Sequence, residues 1–85
     1  MERKTSAFVL INVELGSSVK VEEYIRSFGE VKSVHSTYGA YDLIVELDCD
    51  DADKQSYLIQ NIRQYPKIRS TMTMVTVNKR IVDAQ

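Results

Sequence analysis

The chain alternates between stretches with a two-residue apolar period and stretches with a helical one. Ala7-Phe8-Val9-Leu10-Ile11-Asn12-Val13-Glu14-Leu15 is nearly continuously apolar and rich in β-branched residues. That composition predicts a central strand covered on both faces. Gly16-Ser17-Ser18 breaks it, with Ser18 placed to cap a helix and Glu22 and Glu23 near that helix's positive end. Val21, Tyr24, Ile25 and Phe28 then form one helical stripe, and Gly29 stands where the helix should stop. From Val31 to Leu47 the period returns to two. Val31, Ser33, His35 and Thr37 share one parity, and Lys32, Val34, Ser36 and Tyr38 the other. Gly39 marks the reversal, because glycine accepts positive φ without a steric penalty. Beyond it Tyr41, Leu43, Val45 and Leu47 alternate with Asp42, Ile44, Glu46 and Asp48.

Asp50 or Asp51 caps a second helix over residues 52–64, with Asp53 in its first turn and Leu58, Ile59, Ile62 and Tyr65 on its apolar side. Tyr65-Pro66 ends it, since a residue before proline is pushed out of the α region. The last strand runs from Lys67 to Val77. Ile68, Ser70, Met72 and Met74 take one face; Arg69, Thr71, Thr73, Val75 and Val77 take the other. Residues 78–85 carry no clear pattern and are expected to contact a partner or fray.

The predicted order is β-α-β-β-α-β, a split βαβ arrangement. It defines an α+β, ferredoxin-like fold: a four-stranded antiparallel sheet with two helices on one face. The other face is left open, and its large apolar residues predict burial by a second subunit. A chain of 85 residues makes one domain, and one this short gains core by self-association. Eleven basic and twelve acidic residues nearly cancel, which argues against direct nucleic-acid binding. No apolar stretch approaches the roughly 20 residues that span a bilayer. The single cysteine, Cys49, excludes an internal disulfide framework and fits a reducing, cytoplasmic setting.

Enzymatic chemistry finds little support. The lone His35 has no partner motif, and Asp48, Asp50, Asp51 and Asp53 lack the glycine and closing glutamate of a calcium loop. No glycine-rich phosphate loop exists, and nothing calls for a cofactor or a metal. The remaining constellation is Thr37-Tyr38-Gly39-Ala40-Tyr41-Asp42 with Ser70-Thr71-Met72-Thr73. It reads either as a hairpin turn with threonines that merely favour strands, or as a site. In the second reading the glycine backbone approaches a small ligand, the carboxylate pairs with an ammonium, and threonine hydroxyls bind a carboxylate. That set suits the zwitterionic head of an amino acid.

Thr37-Tyr38-Gly39-Ala40-Tyr41-Asp42-Leu43, with Val31 and Val34 before it and the Ala7–Val13 run earlier, resembles the effector-binding domain of the Lrp/AsnC family. This is the RAM domain, for regulation of amino-acid metabolism. Ile62, Tyr65-Pro66-Lys67-Ile68 and Ser70-Thr71-Met72-Thr73 resemble the family's closing motif, with Lys67 in place of its usual glycine. The resemblance covers about residues 6–77. It implies a RAM domain of the stand-alone type found especially in archaea, without the family's helix-turn-helix. It also implies a dimer through the open sheet face, assembly to a tetramer or octamer, and an amino-acid effector held between dimers. Tyr38, Gly39, Tyr41 and Asp42 would then lie at the site, with Thr71 and Thr73 nearby and the early part of the second helix, around Ser56 and Tyr57, facing the effector side chain. The implied role is an amino-acid sensor or a partner that co-assembles with full-length Lrp/AsnC regulators. A purely structural oligomerisation domain and a small dimeric enzyme on the same fold are the alternatives.

Overall fold

A computed structural model describes residues 5–76. The elements follow the predicted order: β1 (Thr5–Val13), α1 (Ser18–Arg26), β2 (Val31–Ser36), β3 (Leu43–Cys49), α2 (Ala52–Arg63) and β4 (Ile68–Val75). They build one four-stranded antiparallel sheet in the order β2-β3-β1-β4. Residues 77–85, which include Val77 and the tail, lie outside the described residues.

The sheet has one closed face and one open face. On the closed face Ala7, Val9, Ile11 and Val13 of β1 stand beside Leu43, Val45, Leu47 and Cys49 of β3, all buried. Val21 and Ile25 of α1 and Leu58 and Ile62 of α2 complete this core. Tyr24 ties the two helices together. Its ring packs edge-on to Phe28 at 5.3 Å and stacks on Tyr65 at 4.4 Å, while its hydroxyl donates to the Asn61 carbonyl at 3.1 Å. Gln55 occupies the same buried side of α2, and its Nε2 finds no acceptor among the described residues.

The other face of β1 is only half buried, so the central strand is covered on one side rather than both. Phe8 and Leu10 lie opposite Met74 and Met72 on one flank and Glu46 and Ile44 on the other. The result is an apolar stripe of Phe8, Leu10, Ile44, Met72 and Met74, with both methionines about half exposed. Polar pairs frame it. Ser6 donates to Asp48 at 2.6 Å, Asn12 to Ser70 at 3.3 Å, and Lys32 lies 3.8 Å from Glu46.

Two bulges change the expected faces. In β2, Val31 pairs with Leu47 but Ser33 with Glu46, leaving Lys32 as the extra residue. Val31 and Val34 therefore both reach the core, although their sequence parity differs. In β4, Ile68 pairs with Val13 and Ser70 with Asn12, leaving Arg69 without a partner position on β1. Ile68 is thus turned to the core while Ser70, Met72 and Met74 keep the open face. The helix ends also depart from expectation. α1 is capped at Ser17 instead of Ser18, without a side-chain bond, and Glu22 and Glu23 fall beyond its first turn. It stops at Ser27, two residues before Gly29, and the Ser27 hydroxyl donates to the Tyr24 carbonyl at 2.6 Å. For α2 the expectation holds: Asp51 accepts from the Lys54 amide at 2.8 Å, and Asp53 lies in the first turn.

Candidate functional site

The β2–β3 connection is a loop rather than a tight hairpin. β2 ends at Ser36 and β3 begins at Leu43, so Tyr41 and Asp42 precede the strand. Gly39 sits in this loop at φ 119°, a conformation that side-chain-bearing residues rarely adopt. The loop is pinned at its base. The Thr37 amide donates to the Asp42 carbonyl at 3.0 Å, and the Thr37 hydroxyl donates to the Tyr41 carbonyl. The Asp42 amide donates to Ile11 at 2.9 Å, continuing the β1–β3 ladder by one rung.

Asp42 therefore has a structural bond as well as a charge. Its Oδ2 accepts from the amide of Val13, the last residue of β1, at 2.9 Å. A carboxylate has room for further donors after one such bond, and its Oδ1 has no partner among the described residues. It lines a cleft of about 330 Å³ together with Asn12, Val13, Arg69 and Ser70. A second cleft of about 210 Å³ shares Val13, Asp42 and Arg69 and adds Glu14, Leu15, Gly16 and Ser18. The site thus lies at the end of the sheet where β1 finishes and β4 begins.

The other expected site residues occupy different places in one protomer. Tyr38 projects fully into solvent from the same loop as Asp42. Tyr41 lies toward the open face, where its hydroxyl contacts the Met72 sulfur at 3.8 Å. Thr71 and Thr73 stand opposite Ile11 and Val9, on the side of the sheet that carries the helices. Tyr57, largely exposed on α2, lines a separate groove of about 290 Å³ with Phe28, Glu30, Lys54, Leu58 and Asn61. One protomer accordingly brings together Asp42 and its loop, but not Thr71, Thr73 or Tyr57 with them. Arg69 was not among the expected site residues. In sequence it is one charged position in an alternating strand, and only the bulge puts it beside Asp42.

Among the described residues, the remaining chemistry-bearing side chains offer no second centre. His35 is exposed on the open face opposite Ile44, with no hydrogen bond or ion pair among the described residues. Cys49 is buried, and desolvation, aided by Glu30, Asp48, Asp50 and Asp51, pushes its thiol above the usual range. Such a thiol is a poor nucleophile near neutral pH. No group of three or more His, Cys, Asp or Glu residues among those described could hold a metal ion. No helix among them is long and apolar enough to cross a membrane.

The split βαβ sheet with its two helices is a ferredoxin-like fold. The chain belongs to the Lrp/AsnC ligand binding domain family, whose model matches residues 6–84. It is 27% identical over 71 residues to the HTH-type transcriptional regulator FL11 of Pyrococcus abyssi, a match covering 84% of this chain and 47% of that protein. The chain thus spans about half the length of the curated relatives it matches. Among solved structures, FFRP-DM1 superposes with a TM-score of 0.80 at 34% identity, over 86% of this chain and 99% of that one. A feast or famine regulatory protein of M. tuberculosis complexed with L-methionine superposes at 0.72 with 26% identity, over 95% of this chain and 55% of that one. The curated relatives it matches are HTH-type transcriptional regulators.

Proposed function

We propose that this chain is a single RAM domain that binds a free amino acid and couples that binding to its own assembly. The observation that carries the reading is Asp42: a carboxylate fixed through one oxygen to the Val13 amide, with the rest of its accepting capacity facing a cleft. It accepts the ligand ammonium. Tyr38, Gly39 and Tyr41 form the loop around the ligand. The placement of Thr71, Thr73 and Tyr57 away from Asp42 within one protomer favours a site completed between protomers, where these residues contact the ligand from neighbouring copies. L-methionine in a 26%-identical regulatory protein supports an amino acid as the ligand class.

Assembly begins at the open face. Phe8, Leu10, Ile44, Met72 and Met74 form a stripe that one protomer leaves partly exposed, and burying apolar area of this kind stabilises association. Leu15, Val19 and Tyr38 are further large exposed side chains, with Leu15 lining the smaller of the two Asp42 clefts and Tyr38 on the Asp42 loop. They suit a second contact, which would take dimers to a tetramer or octamer in the cytoplasm. The effector shifts that equilibrium only through its different affinity for the two assembly states. The output is a change in a homo-oligomer, or in co-assembly with full-length Lrp/AsnC regulators.

Titration calorimetry with the twenty common amino acids, paired with light scattering with and without each, tests the proposal. At least one amino acid should bind and change the mass in solution. Silence across the panel by folded protein sinks it. A purely structural oligomerisation domain is the second reading. The Asp42–Val13 bond favours it, because that bond gives the motif a reason to exist without any ligand.

A further inference from the structure

We infer that Arg69 is the carboxylate partner of an amino acid in the Asp42 cleft, so that one protomer holds both ends of the ligand's head. The inference rests on the amino-acid reading above and assigns the one end of the ligand that Asp42 cannot bind.

Three observations converge on Arg69. It is the bulge residue of β4, between Ile68, which pairs with Val13, and Ser70, which pairs with Asn12. A regular strand would put it in line with Thr71 and Thr73 on the helix side; a bulge re-aims a side chain in this way and is a common device beside binding sites. Next, Arg69 and Asp42 together line both clefts at this end of the sheet, yet they form no ion pair with each other. Finally, Arg69 has no carboxylate partner among the described residues. Of the other described lysines and arginines, Arg26, Lys32, Lys54 and Lys67 have one, at Glu22, Glu46 with Asp48, Asp50 and Glu14 respectively, while Lys20 and Arg63 have none but line neither cleft with Asp42.

A carboxylate and a guanidinium facing one cleft without touching make a dipole, and its complement is a zwitterion. The neutral lining fits the same polarity. Asn12 spends one N–H on the Ser70 oxygen, which leaves the Asn12 carbonyl to accept and the Ser70 hydroxyl to donate. The ammonium then meets Asp42 Oδ1 and the Asn12 carbonyl. The carboxylate meets the guanidinium fork, whose geometry matches it through two parallel bonds, and the Ser70 hydroxyl. Amines without a carboxylate, and acids without an amine, satisfy only half of the cleft. Thr71 and Thr73 of the same protomer stand on the other side of the sheet from this cleft, so any contact they make with the ligand comes from a neighbouring copy.

The test is calorimetry on wild type, Arg69→Gln and Arg69→Lys, using the twenty free L-amino acids and the α-carboxamide of each one that binds. Wild type should bind the free acid about 10- to 100-fold tighter than its carboxamide, the range a hydrogen-bonded charge pair typically supplies. Arg69→Gln should lose affinity by a similar factor and bind acid and carboxamide alike. Arg69→Lys should recover part of the difference, since it keeps the charge and loses the fork. Thermal unfolding should leave Arg69→Gln near wild type, because the side chain is exposed. If amino acids bind and Arg69→Gln keeps wild-type discrimination, or wild type binds the carboxamide equally well, the Arg69 assignment is overturned and the amino-acid reading survives. If no amino acid binds wild type, both are overturned.

Discussion

Replacing Asp42 perturbs two things at once, and the structure shows how to separate them. Asp42→Ala removes the acceptor for the Val13 amide and the charge facing the cleft together. Val13 is buried at the end of β1, so its N–H loses a charge-assisted bond. Leaving a buried donor unsatisfied costs about 1–3 kcal/mol. The adjoining cleft admits water to this donor, which places the expected cost in the lower half of that range, about 1–2 kcal/mol. For a domain of 60–100 residues that lowers Tm by about 4–16 °C. Asp42→Asn keeps an amide oxygen at the same position. Its neutral bond is weaker, so the expected loss stays below about 1 kcal/mol.

Thermal unfolding followed by circular dichroism, at one protomer concentration because assembly makes Tm concentration-dependent, should rank wild type above Asp42→Asn and Asp42→Ala last. Calorimetry should group the variants differently: both lose the amino acid, because both lose the charge. If Asp42→Ala unfolds with wild type, the Val13 bond carries no stability. If Asp42→Asn binds ligand with wild-type affinity, the ammonium role of Asp42 is wrong, and the motif serves only to anchor the loop.

Gln55 carries a buried Nε2 without an acceptor on the core side of α2; Gln55→Met, of similar length and apolar, should raise stability by about 1 kcal/mol in urea unfolding. Gly39→Ala should cost about 1–3 kcal/mol, because φ 119° strains any side chain although the space around it is open, whereas Gly29→Ala should cost less than about 1 kcal/mol by the same measurement, since neither a positive φ nor a crowded Cβ opposes it. Leu10→Asp places a charge in the middle of the open-face stripe, between Ile44 and Met72; light scattering should show the mass falling toward that of one protomer, with far-ultraviolet dichroism retained.

Elements were legible in the chain where one local period decides them. Val21, Tyr24, Ile25 and Phe28 are spaced for one helix face, and in the folded protein Val21 and Ile25 are buried with Tyr24 and Phe28 packed beside them. Leu43, Val45 and Leu47 likewise alternate and are buried. The chain also announced the family, through Thr37–Leu43 and the closing threonine strand. What it hid depends on pairing between distant segments. Nothing local in Val31-Lys32-Ser33 or Ile68-Arg69-Ser70 signals a bulge; each exists because a neighbouring strand offers one position against two residues. Gln55 was hidden for another reason. A polar side chain interrupts an apolar stripe on paper, yet it lies one turn before Leu58 and is buried with it.

The same distinction explains the site. In sequence Asp42 reads as a carboxylate within an otherwise apolar strand; the structure puts it just before β3 and makes its partner partly the fold itself, through Val13. Arg69 did not stand out, because a basic residue on an edge strand is ordinary until a bulge sets it on the same cleft as Asp42. Structure and candidate chemistry therefore share residues at this end of the sheet. The loop that carries Asp42 also carries Tyr41, whose hydroxyl meets Met72 on the open face, and Asn12 and Ser70 belong at once to the cleft and to the border of that face. In the proposed reading, a ligand that draws Asp42 and Arg69 toward its two ends acts on β1 and β4 beside the open apolar face. Binding and assembly would then share a strand pair, and the ligand would shift assembly to the extent that its affinity differs between the two states.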